Sequence, residues 1–80
     1  MTTLPLRGEH ITLAHAVKAA GLADSGGQAK HLVRGGSVTV NGQLELQPGR
    51  KLVVGDRFRL ADGPEWTVGP PEESDLQQGE

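Results

Sequence analysis

The sequence predicts a single α+β domain in which two short helices precede several short strands. Two stretches, 12–20 and 25–35, repeat apolar residues with the helical period. Residues 38–46 surround an Asn-Gly pair that favours a tight hairpin, and 57–60 alternate charged and apolar side chains as a half-buried strand does. With 80 residues and no internal repeat, the chain has room for one small core.

The first predicted helix spans residues 12–20. Thr12 stands where a side-chain oxygen can cap the free backbone amides of the first turn, and Gly21 is typical of a helix end. Apolar residues recur at the i, i+3, i+4, i+7 spacing of one helical face: Leu13, Ala16, Val17 and Ala20. We therefore expect a short amphipathic helix.

The second predicted helix spans residues 25–35. Ser25 is its expected N-cap, and Gln28 follows three residues later as a capping-box partner. At 100° per residue, one side of the helix carries Ala29, Leu32 and Val33, and the opposite side carries Gly27, Lys30, His31 and Arg34. The basic residues are thus predicted to face outward, and Gly35 and Gly36 to end the helix.

The start of this second helix has the features of an anion site. The first turn of a helix has free N–H groups, and glycines at 26 and 27 let a bulky anion approach them closely. Lys30 and Arg34 lie one turn apart and are spaced to hold neighbouring phosphates. The alternative is a glycine-containing helix start whose charges are merely solvated, and the pattern alone leaves both interpretations open.

The remaining stretches predict a small sheet. Residues 38–40 and 43–46 form a hairpin around Asn41 and Gly42, which supply the positive φ angles of a type I′ turn. Pro-Gly at 48–49 and Gly-Asp at 55–56 indicate further turns. Strands are expected at 57–60 and 65–68, with Phe58 in the core and Trp66 covering a sheet edge.

The net charge of −2 conceals a basic body and an acidic tail. Residues 1–60 contain all eight Lys and Arg against four acidic residues, a net charge of +4, whereas residues 61–80 contain six acidic residues and no basic one. We predict one folded domain over 1–69 and a disordered acidic tail over 70–80. An acidic mimic of nucleic acid that folds over the basic face is the alternative for the tail.

Several function classes find no support in the sequence. There is no cysteine, and His10, His15 and His31 lack the spacing of metal ligands, so neither a metal nor another cofactor is expected. No phosphate-binding P-loop motif and no grouped nucleophile, base and acid are visible, which favours a non-enzyme without catalytic residues. The N-terminal stretch lacks the apolar run of a signal peptide, so we expect a cytoplasmic protein that does not contact a membrane.

Residues 11–58 resemble the S-four RNA-binding domain, named after the fourth protein of the small ribosomal subunit, and its small free-standing, ribosome-associated branch. The likeness rests on LAHAVKAAGL at 13–22, SGGQAK at 25–30, VTVNG at 38–42, and RKL with GD within 50–56. The resemblance implies a two-helix αL motif packed on a small, mainly antiparallel sheet. It also implies a surface that grips the phosphate backbone of structured RNA. Carried over residue by residue, the RNA-binding residues are Lys18, Ser25, Gly26, Gly27, Gln28, Lys30, Arg34, Asn41, Arg50 and Lys51.

The resemblance also suggests partners. It implies a monomer that binds ribosomal RNA or a tRNA-like RNA, with the ribosome as a further candidate. Because Phe58 and Trp66 are the only aromatic residues, recognition of folded RNA by shape and phosphate is favoured over base stacking. A protein-interaction or sulfur-carrier domain of the β-grasp type is the alternative, since Val-Asn-Gly followed by a Gly-Asp turn occurs there too.

Overall fold

The computed structural model describes residues 2–71 and confirms the α+β class, with two helices and a mainly antiparallel sheet. Of the predicted acidic tail, residues 72–80 lie outside the described residues. The elements in chain order are β1 (Thr2–Pro5), β2 (Ile11–Thr12), α1 (Leu13–Ala19), α2 (Gly26–Arg34), β3 (Val38–Val40), β4 (Gln43–Leu44), β5 (Lys51–Leu52), β6 (Arg57–Leu60) and β7 (Glu65–Gly69).

Both helices begin at the predicted caps. The Thr12 hydroxyl oxygen accepts a hydrogen bond from the His15 amide at 3.3 Å, and the Ser25 hydroxyl oxygen accepts one from the Gln28 amide at 3.1 Å. Gln28 reaches back as a capping-box residue should, but its side-chain oxygen accepts from the amide of Asp24, one residue before the N-cap. The side chains of Ser25 and Gln28 therefore fix where α2 starts.

The five-stranded sheet has the order β1-β7-β6-β3-β4, and only the β1–β7 pair is parallel. The β3–β4 hairpin turns at Asn41 (φ 52°) and Gly42 (φ 83°), as predicted for a type I′ turn. Its second strand is shorter than predicted, because the ladder ends at Leu44. Trp66 lies on β7, between Thr2 of β1 and Phe58 of β6, so the expectation that it covers a sheet edge was wrong.

The strand β1 was not predicted, and it packs closely on β7. Its residues align with 66–69, and the Leu6 amide donates to the Gly69 carbonyl at 2.9 Å. A Cβ at residue 69 would lie 2.5 Å from the Thr3 methyl carbon, so glycine permits this approach. The N-terminal residues are thereby held against the last strand.

The core lies between the helices and one face of the sheet. Val38, Val40, Phe58 and Val68 are buried from the sheet side, and the helices contribute a matching set: Leu13, Ala14, Ala16, Val17, Ala29 and Val33. Phe58 is only 1% exposed and stacks with Trp66 at a centroid distance of 6.3 Å. Burying a side chain of this size contributes about 2–3 kcal/mol.

The opposite face of the sheet is exposed. Because side chains alternate along a strand and Phe58 points inward, Arg57 and Arg59 of β6 point away from the helices. We call this surface the outer sheet face. None of the helices between residues 2 and 71 is long and apolar enough to cross a membrane.

Candidate nucleic-acid interface

The exposed sides of α1 and α2 form one continuous surface. The two helices pack against each other, and their buried positions are mostly small, such as Ala16 and Ala29, which are both fully buried. Since the apolar sides face inward, the outward sides carry Lys18 from α1 and Lys30 and Arg34 from α2. We call the region defined by these three cations the helix surface.

A shallow depression of about 250 Å³ lies where the two helices meet on this surface. Lys18 borders it from α1, and Gly26 and Lys30 border it from the first turns of α2. The remaining lining comes from Thr12, Ala14 and His15. Two lysines from different helices therefore meet beside the backbone at the start of α2.

The cations of the helix surface are not neutralised by the fold. Within residues 2–71, Lys18, Lys30 and Arg34 form no ion pair and no side-chain hydrogen bond. All three are exposed. Their charge is consequently available to an external anion, and two of them, Lys18 and Lys30, border the same depression.

The two glycines that open α2 are not required by the fold. A Cβ at Gly26 would meet no atom within 4 Å, and one at Gly27 would meet only the Ser25 hydroxyl oxygen, at 3.9 Å. Neither residue has a positive φ. Glycine in a helix is less favourable than alanine by up to about 1 kcal/mol, so these residues leave the backbone accessible at a cost in stability. Their amides also precede the first intrahelical bond, from the Ala29 amide to the Ser25 carbonyl at 3.0 Å.

Residues 48–52 run beside the start of α1. The Leu13 amide donates to the Arg50 carbonyl at 2.8 Å, and the Ala14 amide donates to the Pro48 carbonyl at 3.0 Å. The short β2–β5 ladder pairs Thr12 with Lys51. Because Thr12 lines the depression, this ladder places Lys51 next to the helix surface, and Lys51 has no ion-pair partner in the described part of the chain.

Arg50 is engaged within the fold. Its guanidinium Nη1 lies 2.7 Å from Glu45 Oε1, with 42% of the Arg50 side chain and 16% of the Glu45 side chain exposed. The hydrogen bond from Arg50, followed by one from the Gln47 amide, lowers the pKa of the Glu45 carboxyl below its ordinary value. The positive charge of Arg50 is thus partly compensated, unlike that of Lys51.

Asn41 also has a role within the fold. Its side-chain nitrogen donates to Asp56 at 3.2 Å, and its side-chain oxygen accepts from the Arg57 amide at 2.9 Å. These bonds tie the hairpin turn to the start of β6. The predicted contact between Asn41 and RNA remains a prediction.

Only some of the predicted RNA-binding residues border the depression. Lys18, Gly26 and Lys30 border it, while Ser25 and Gln28 fix the helix start. Thr12 and His15 also border it and were not predicted to belong to the site. A signal for His15 was present, because it lies three residues before Lys18 on the exposed side of α1.

Comparison with protein families identifies the family of the chain. The family model described as S4 domain matches residues 4–68, which is most of the chain. The chain is a member of the S4 domain family. S4 domains are non-catalytic RNA-binding domains, so the helix surface belongs to an RNA-binding fold, and the β-grasp alternative is not supported.

Two further findings bear on this S4 domain. No curated protein shows a significant match to the chain. Among residues 2–71, no group of three or more His, Asp or Glu side chains is arranged to hold a metal ion.

Proposed function

We propose that this S4 domain binds structured RNA by its phosphate backbone, acts by binding alone, and has ribosomal RNA, in the ribosome or during its assembly, as its target. The proposed contacts come from Lys18, Lys30 and Arg34, from the backbone at Gly26 and Gly27, and from Lys51. The proposed set also includes four residues whose side chains form hydrogen bonds within the fold: Ser25, Gln28, Asn41 and Arg50.

The depression between α1 and α2 carries this proposal. Lysine binds phosphate as a point charge, and free backbone amides at a helix start donate to the same kind of ligand. Here two lysines without partners in the described residues border the depression together with an unobstructed Gly26. Such an arrangement suits an anion with several charged groups at fixed spacing, as along a folded RNA backbone.

Position, and not net charge, should decide RNA affinity. The Lys30→Ala, Arg34→Ala double variant removes two cations from the helix surface, and the Arg57→Ala, Arg59→Ala double variant removes two from the outer sheet face. Both change the net charge equally. We expect the first variant to lose on the order of tenfold in affinity for a folded ribosomal RNA fragment, because two phosphate contacts are lost. The second should change the affinity by less than about twofold, since its charges lie away from the site.

The salt dependence gives an independent measurement. Each lost phosphate contact should lower the slope of log affinity against log salt by about one unit, so the helix-surface variant should have a shallower slope than the sheet-face variant. Melting curves serve as the control, because exposed substitutions usually change stability by about 0.5 kcal/mol or less. Equal losses in the two folded variants would show that binding follows net charge and would contradict the proposed site.

The identity of the RNA is tested in cells. RNA crosslinked to the parent protein should be enriched in ribosomal RNA fragments, and the enrichment should fall in the Lys30→Ala, Arg34→Ala variant. Crosslinks spread over messenger RNA in proportion to its abundance would exclude ribosomal RNA as the specific target.

A further inference from the structure

A second and larger groove adjoins the depression at the base of α1. Its volume is about 410 Å³, within the range of small-molecule sites in proteins. It lies between α1 and the segment that connects β1 to β2, and Thr12 and His15 line both it and the depression. The groove and the depression therefore adjoin each other at these two residues.

The lining of this groove differs from that of the depression. Apolar contributions come from Pro5, Leu6, Ile11 and Ala19. The polar lining residues are Arg7, Thr12 and two exposed histidines, His10 and His15. A phosphate backbone alone would not bind to the apolar wall of this groove. A nucleotide presents an apolar base face and a charged phosphate together, and so matches both kinds of lining residue.

We propose that this groove receives one unpaired nucleotide adjacent to the paired RNA on the helix surface. The base lies against the apolar wall and stacks on an imidazole, and its phosphate lies toward Arg7. The inference rests on the proposed function and adds a preference for RNA in which a helix borders an unpaired nucleotide.

The imidazole rings of His10 and His15 can stack on a base in this groove, whereas Phe58 and Trp66 do not line it. Phe58 is buried in the core, and Trp66 packs on it, so neither is presented to RNA in this region. Histidine stacks on unpaired bases as Phe, Tyr and Trp do. His15 lies at the junction of the two cavities, where paired and unpaired RNA would meet.

The test uses RNA hairpins that share one stem. One hairpin is fully paired up to its loop, others carry a single unpaired nucleotide as a bulge or as a 5′ or 3′ overhang, and matched probes carry an abasic residue at that position. The proteins are the parent, the His10→Ala, His15→Ala double variant, and the His31→Ala variant as a matched control. His31 is an exposed histidine of α2 that does not line the groove.

The parent should bind at least one hairpin with an unpaired nucleotide on the order of tenfold more tightly than the fully paired hairpin, because one base stack is gained. The abasic probe should lose this gain. The His10→Ala, His15→Ala variant should lose the preference, which is measured as the ratio of its affinities for the two kinds of hairpin because His15 also borders the depression. His31→Ala should keep the preference.

The inference is overturned if the parent binds all hairpins equally, or if the histidine double variant retains the full preference while folded. Failure of the proposed function would look different. In that case the Lys30→Ala, Arg34→Ala variant would bind the fully paired hairpin as tightly as the parent, whatever the behaviour of the groove.

Discussion

The helix surface and the outer sheet face both carry exposed cations, but these cations differ in whether they have a partner within the described part of the fold. On the outer sheet face, Arg57 lies 3.9 Å from the Glu65 carboxylate, and the Arg59 Nε donates to the Gly63 carbonyl at 2.8 Å. On the helix surface, Lys30 and Arg34 have no such partner among residues 2–71. The same residue types therefore stabilise local structure in one region and are available to a ligand in the other.

This difference shows why the overall charge is a poor guide to the function of this protein. A carboxylate or carbonyl beside a cation reduces the field that the cation projects into solvent. The cations of the helix surface have no such neighbour among residues 2–71, although the chain as a whole is acidic, with a net charge of −2. Arg50 is intermediate between the two cases, because it forms an ion pair with Glu45 although it lies in the segment beside α1.

After the roughly tenfold loss expected for the Lys30→Ala, Arg34→Ala variant, the next largest effect should come from closing the start of α2. In a Gly26→Ala, Gly27→Ala double variant, stability should rise by up to about 1 kcal/mol per site, because alanine favours the helix and the structure leaves room for both methyl groups. RNA affinity should fall about fivefold if one amide-to-phosphate hydrogen bond is lost. Melting curves and RNA titrations should thus move in opposite directions, and unchanged affinity would show that the glycines do not admit a phosphate.

A smaller effect should separate the neighbours Arg50 and Lys51. Lys51→Ala should weaken RNA binding about two- to fivefold, because this cation has no partner in the described part of the chain and lies beside Thr12. Arg50→Ala should weaken it less, since Glu45 already compensates its charge. RNA titration of both variants at equal salt compares their affinities. A greater loss of affinity for Arg50→Ala than for Lys51→Ala would mean that RNA displaces Glu45 from Arg50.

The smallest effect is the pH dependence of the Glu45–Arg50 pair. The pKa of Glu45 is lowered from its ordinary value of 4.5, so the pair stabilises the fold above that pH and loses its contribution as the pH falls through the folded-state pKa. Between pH 6 and pH 3, chemical denaturation should show a steeper loss of stability for the parent than for Glu45→Gln. Parallel curves would show that the contact does not stabilise the fold.

The sequence predicted those features of the candidate site that depend on neighbouring residues. The Ser25 cap, the outward direction of Lys30 and Arg34, and the open first turn of α2 all follow from residues within a few positions of one another. The depression itself did not follow, because it needs α1 and α2 at a fixed distance and angle. His15 had the spacing of a surface residue, but only this packing brings it beside Gly26.

The sequence by itself determined both helix starts, the Asn41-Gly42 turn and the α+β class, because capping bonds and positive φ angles are set by neighbouring residues. Only the tertiary structure decided that β1 pairs with β7 across more than sixty residues, and that β2 meets β5 beside α1. Strands of two to five residues are too short for a period-two pattern to specify their partners. Those long-range pairings hold in place residues that line the second groove, such as Pro5 and Ile11, and put Lys51 opposite Thr12, so the extent of the candidate RNA interface depends on the folded chain.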